Sequence, residues 1–151
     1  LKQGALLMIE EDTVRLLREC DAGVRMGVAS IDDVLCSVSD DDFRKKLMDC
    51  KSRHDKLGDE IEQLLNEYHD EGKEPGIMAK GMSQMKIDFK LAIDKSDNTI
   101  AEIMTDGCNM GVKSLSRYLN QYKAADEKSK DIAKRLIKLE EKLAVDIRRF
   151  L

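Results

Sequence analysis

Apolar side chains recur in this sequence at alternating steps of three and four residues, in four separate runs, and that spacing puts each run on one face of a helix. The first run is Val14, Leu17, Asp21, Val24, Val28, Ile31, Leu35 and the second Phe43, Leu47, Cys50, His54, Leu57, Ile61, Leu64, Tyr68. The third, less regular, is Ile100, Met104, Cys108, Gly111, Leu115, Tyr118, Tyr122; the fourth is Ser129, Ala133, Leu136, Glu140, Leu143, Ile147, Phe150. Near-heptad stripes of this kind bury themselves against one another at a shallow crossing angle, so the expected fold is an all-α four-helix bundle in one domain, 1–151. Strand-like alternation over four or more residues has no convincing instance, and a single proline with no tryptophan fits helix better than sheet.

Punctuation sets the expected boundaries. Asp12 and Thr13 open a first helix over about 12–36. The run Ser39-Asp40-Asp41-Asp42 supplies an N-cap candidate, Ser39, followed by acids that complement the helix dipole, and opens a second helix over about 40–71. That helix stops in Gly72-Lys73-Glu74-Pro75-Gly76, where the only proline sits. Ser96-Asp97-Asn98 caps a third helix, 97–122, and a turn near Ala124 and Asp126 leads to a fourth, 126–151.

Between the break and the third helix, 77–95 is amphipathic, with Met78, Met82, Met85 and Phe89 on one face. As a helix it covers roughly 28 Å, enough to carry the chain from one end of the bundle to the other. The topology expected is therefore two antiparallel hairpins joined by one helical crossover, the ferritin connection. The Met-rich face is expected to pack on the bundle or on a second subunit.

Charge excludes several classes of partner. The 26 basic and 30 acidic side chains give a net charge of -4 and alternate in sign along the chain. No basic stripe offers itself to nucleic acid, and no polybasic cluster to an anionic membrane. No apolar run reaches transmembrane length, and the mildly apolar opening residues run straight into Glu10, Glu11 and Asp12 without the pattern of a signal peptide. Cys20, Cys36, Cys50 and Cys108 form no Cys-x-x-Cys pair, and a chain with an ample core needs no disulfides, so reduced thiols in the cytoplasm are expected. Gly107 and Gly111 fall within a helical pattern and read as close helix packing, not a phosphate cradle.

Asp21, His54 and Glu140 interrupt apolar stripes, and Cys108 lies on the third. All four fall near mid-helix, so one polar layer, one side chain per helix, is expected. A buried carboxylate needs an ion pair, hydrogen bonds or a metal. The set is expected to settle as a hydrogen-bonded network around His54, since a satisfied core histidine is commoner than a ligand, and is chemically acceptable also for one zinc or iron ion. Two metals would be short of ligands: a carboxylate di-iron site takes Glu-x-x-His on two helices, whereas Lys51 stands three before His54 and Leu143 three after Glu140. The other histidine, His69, is expected in solvent at the end of the second helix.

A broader pattern runs through the chain: Asp21-Ala22-Gly23 in the first helix, Arg53-His54 and then Leu57 in the second, the 72–76 break, Gly107 with Tyr118 downstream, and a tight last turn. It resembles the ferritin-like bundles of a bacterial domain family of unknown function, some members of which are described in relation to spore coats. The resemblance implies the crossover bundle. In that family the residue after the third-helix glycine is often Glu; here it is Cys108, which takes away from an inherited di-metal role. The function expected is that of a non-enzymatic structural or interaction module, dimeric and without cofactor, whose polar layer fixes helix register. The alternative is a metal-binding or metal-storage protein with one zinc or iron at Asp21, His54, Cys108 and Glu140.

Overall fold

Three of the helices begin where a short polar side chain turns back on the backbone. Asp40 accepts from the N–H of Phe43, Ser96 from Thr99 and Asp126 from Ser129, each satisfying a donor that the first helical turn leaves open. In the computed structural model, which describes residues 2–70, 72 and 94–151, the helices are α1 (Lys2–Leu35), α2 (Asp41–Glu67), α3 (Asp97–Gln121) and α4 (Glu127–Asp146), with a closing 3-10 turn at Arg148–Phe150. No strand occurs among the described residues.

Several boundaries differ from the sequence expectation. α1 starts ten residues before Asp12, because Asp12 and Thr13 cap a different element: the Asp12 carboxylate accepts from the Ala124 N–H at 3.0 Å, and the Thr13 hydroxyl from Asp126 at 2.8 Å. Asp40, not Ser39, caps α2. α2 ends at Glu67, ahead of the glycine break, because His69 adopts the left-handed conformation (φ 55°) and lets Asp70 N–H reach the Leu65 carbonyl at 2.9 Å. His69 is exposed, as expected.

Packing contacts fix the arrangement. α1 and α2 form one antiparallel hairpin: Arg18 forks onto Asp70 at 2.7–3.1 Å, and Lys51 pairs with Asp32. α3 and α4 form the other, tied by the short turn at 122–126. α4 also runs antiparallel to α2, with contacts at Glu60–Arg135, His54–Glu140 and Asp42–Arg149, and with Phe43 stacked on Phe150 at 4.5 Å. The interior they enclose is apolar; Leu16, Ile31, Phe43, Leu47, Ile61, Ile100, Leu136 and Ile147 are essentially inaccessible, and each such side chain contributes about 1.5–3 kcal/mol of burial free energy.

The start of α3 sits beside the start of α2, because both Asp97 carboxylate oxygens accept backbone donors from the α1–α2 turn, Ser39 N–H at 2.8 Å and Asp40 N–H at 2.9 Å. Asp70 and Asp94, the described ends of the connection between hairpins, therefore stand at opposite ends of the bundle, about 40 Å of α2 apart. The expected helix over 77–95 and its methionine face lie outside the described residues, save Asp94 and Lys95, which are not helical. Asp97→Ala is expected to lower stability by about 1 kcal/mol, read as a lower urea midpoint, because it strips two backbone donors at once. An Asp97→Asn variant should recover part of the loss.

Candidate functional site: a buried histidine–glutamate pair

His54 lies mid-α2 and is 1% exposed. Its Nδ1 is 2.8 Å from the Cys50 carbonyl oxygen one turn back, with the Cys50 sulfur at 3.5 Å. A carbonyl only accepts, so Nδ1 carries a hydrogen. Nε2 is 2.8 Å from Glu140 Oε1 on α4. Both ring nitrogens are thereby spent within the bundle. Burial by itself pushes the imidazole pKa down, but the bonds to Cys50 and Glu140 and the Glu140 charge outweigh it and raise the value to about 10. The raised value favours the imidazolium form of His54, with Nε2–H donating to Glu140 Oε1.

Cys108, on α3, lies beside Glu140. Burial first, then the neighbouring carboxylate charge, push its thiol well above the ordinary range. Cys20 is likewise held up at about 12, first by burial and then by the charges of Glu19 and Asp21. A thiol so held is a small core group, not an activated nucleophile.

The remaining helix, α1, brings no acid to this layer. A Cβ on Gly27 of α1 would lie 2.7 Å from His54 Nε2 and 3.6 Å from Glu140 Oε1, so glycine is what α1 presents to the pair. Asp21, expected in the layer, is six residues and about 9 Å further along α1. It is buried, pairs with Arg25 at 3.2 Å, and is closed over by Gly72, which adopts φ 85° and whose added Cβ would lie 2.6 Å from Asp21 Oδ2. The buried face of α1 takes in Leu17, Asp21, Val24 and Ile31 of the expected stripe and widens it with Thr13, Leu16, Cys20, Ala22 and Val34. Cys20 and Gly27, both small, belong to the side of α1 that faces its neighbours, and the expected stripe passes over them.

Glycines on α3 also divide. A Cβ at Gly111 would sit 3.6 Å from Glu140, in ordinary contact, while one at Gly107 would meet nothing within 4 Å. The close packing expected of both is thus tight enough to require glycine at neither.

The ligand set Asp21, His54, Cys108 and Glu140 thus does not fit one metal ion: Asp21 is elsewhere, and His54 Nε2 already faces Glu140. Among the described residues, no three His, Cys, Asp or Glu side chains converge as a metal requires. Also among the described residues, no helix is long and apolar enough to cross a membrane. Comparisons with protein-family models, with curated proteins and with solved structures return no match.

Proposed function

We propose that this chain is a non-enzymatic, ferritin-like bundle that serves as a structural or interaction module, with His54–Glu140 setting the register of α2 against α4. The observation that carries the reading is the complete use of the His54 ring: one nitrogen on a backbone carbonyl, the other on Glu140, with 1% of the residue reaching solvent. A general base or metal ligand needs a nitrogen free to meet the reacting atom or ion. A buried polar pair, by contrast, penalises every helix offset that separates its members, which is how such groups specify geometry in helical assemblies. The ferritin-like description rests on the two hairpins and the opposite ends reached by their connection. The four free thiols suit a reducing, cytoplasmic setting.

The rival is a metal-binding or storage protein in which Glu140 swings off Nε2 and a zinc or iron ion enters with Cys108. Elemental analysis of the purified protein, with thermal melts with and without a chelator, separates the two. The register reading expects substoichiometric metal and superimposable melts. Stoichiometric zinc or iron, with a melting temperature lowered by chelator, overturns it, because a native-state ligand stabilises in proportion to its occupancy.

A further inference from the structure

α1 outruns the bundle that it belongs to. Its hydrogen bonds to the α3–α4 turn come from Asp12 and Thr13, and residues 2–9, about 12 Å of helix on the far side of them, are all exposed. Leu6, Leu7, Met8 and Ile9 are 64, 61, 60 and 40% exposed, and these four consecutive residues are half of the eight large apolar side chains exposed among the described residues. Leu6 and Ile9 continue, by steps of three and four, the stripe that leads through Thr13 to Leu16 in the core. Leu7 and Met8 flank them. Four large apolar side chains exposed on consecutive residues make a face suited to a partner.

We infer that this segment pairs with the same segment of a second copy of the chain, antiparallel, about a two-fold axis near Leu7 and Met8. Charge selects the orientation. Lys2 lies at one end of the segment and Glu10 and Glu11 at the other, so the antiparallel register that seats Leu6 against Ile9 of the second copy brings each Lys2 within side-chain reach of acids on the other chain. The parallel register stacks like charges at both ends. A two-fold axis makes each favourable contact twice. The surface is small against a standard interface of about 800 Å² per partner, so the dimer is weak and concentration-dependent. This rests on reading the chain as an interaction module, whereas the metal analysis above is indifferent to it, so the two can fail separately.

Sedimentation equilibrium of the chain between about 1 µM and about 1 mM tests the pairing. Expected is a reversible monomer–dimer equilibrium that Leu6→Glu with Ile9→Glu weakens at least about tenfold, and that Lys2→Glu also weakens at low salt. Both positions are exposed, and an unchanged melt of the double variant at the lowest concentration shows that its fold is intact. A monomer mass across the whole range overturns the proposal, as does a double variant that dimerises like the parent. Co-sedimentation of the parent, but not the double variant, with phosphatidylcholine vesicles in place of dimer formation overturns it in favour of a lipid surface.

Discussion

Replacing Glu140 by alanine is expected to cost the folded state about 3 kcal/mol near neutral pH. The change leaves a buried imidazole donor aimed at nothing, and the effect is read as a lower urea midpoint with an unchanged slope. The pH dependence is the more specific readout. The His54 pKa is raised to about 10 in the fold, against about 6.5 in the unfolded chain, so the folded state holds its proton more tightly. That contribution is fully present below about pH 6.5 and is lost as pH rises through about 10. Stability should therefore fall across this window in the parent, and Glu140→Ala should flatten the fall. Glu140→Gln separates charge from shape: its amide N–H can donate to a neutral Nε2, so its deficit should be large near pH 6 and shrink towards pH 10. A deficit that is the same at both ends would mean that the pair is neutral, and the imidazolium assignment would be wrong.

Gly27→Ala is expected to destabilise the bundle by about 2 kcal/mol although alanine is the better helix former by about 1 kcal/mol. The added methyl would stand 2.7 Å from His54 Nε2 and 2.9 Å from its Cδ2, and the ring cannot step aside, because Cys50 and Glu140 hold both of its nitrogens. Either α1 moves off α2 or the pair opens. Gly111→Ala, which faces Glu140 from α3 at 3.6 Å, is the control. There the methyl has room, and the helix-propensity gain should appear as a rise in stability of about 0.5–1 kcal/mol. Thermal melts of the two variants should therefore move in opposite directions. If Gly27→Ala rises as well, the imidazole is not pinned as described.

The pH profile and the Gly27 variant address one pair from two helices. Their effects should not add, since once the methyl has opened the pair little remains for Glu140→Ala to remove. Combining them in one chain gives that coupling directly, and a coupling near zero would place the Gly27 effect outside the pair.

Much of the architecture is legible along the chain because it is written in helical period. The stripes on α2, α3 and α4 hold nearly residue for residue, His54 and Glu140 stand out as polar groups on apolar faces, and Ser96 and Asp126 mark the starts of α3 and α4 by local hydrogen-bonding chemistry. Such signals depend only on neighbours within a turn or two. Errors fall where the deciding partner is remote in sequence. Asp12 and Thr13 resemble a helix start, yet serve a turn more than a hundred residues away. His69 ends α2 in a conformation that glycine usually takes, with Gly72 just beyond.

The polar layer shows the same division. The periodicity of the sequence settles that an imidazole and a carboxylate occupy mid-height of α2 and α4, because a 3.6-residue repeat assigns each a face and a level. What α1 contributes at that level is decided by tertiary packing alone. Gly27 carries no side chain for a pattern to register, and it is the approach of α1 to α2, close enough that a single methyl would strike the ring, that makes it the matching residue and moves Asp21 to another neighbourhood under Gly72.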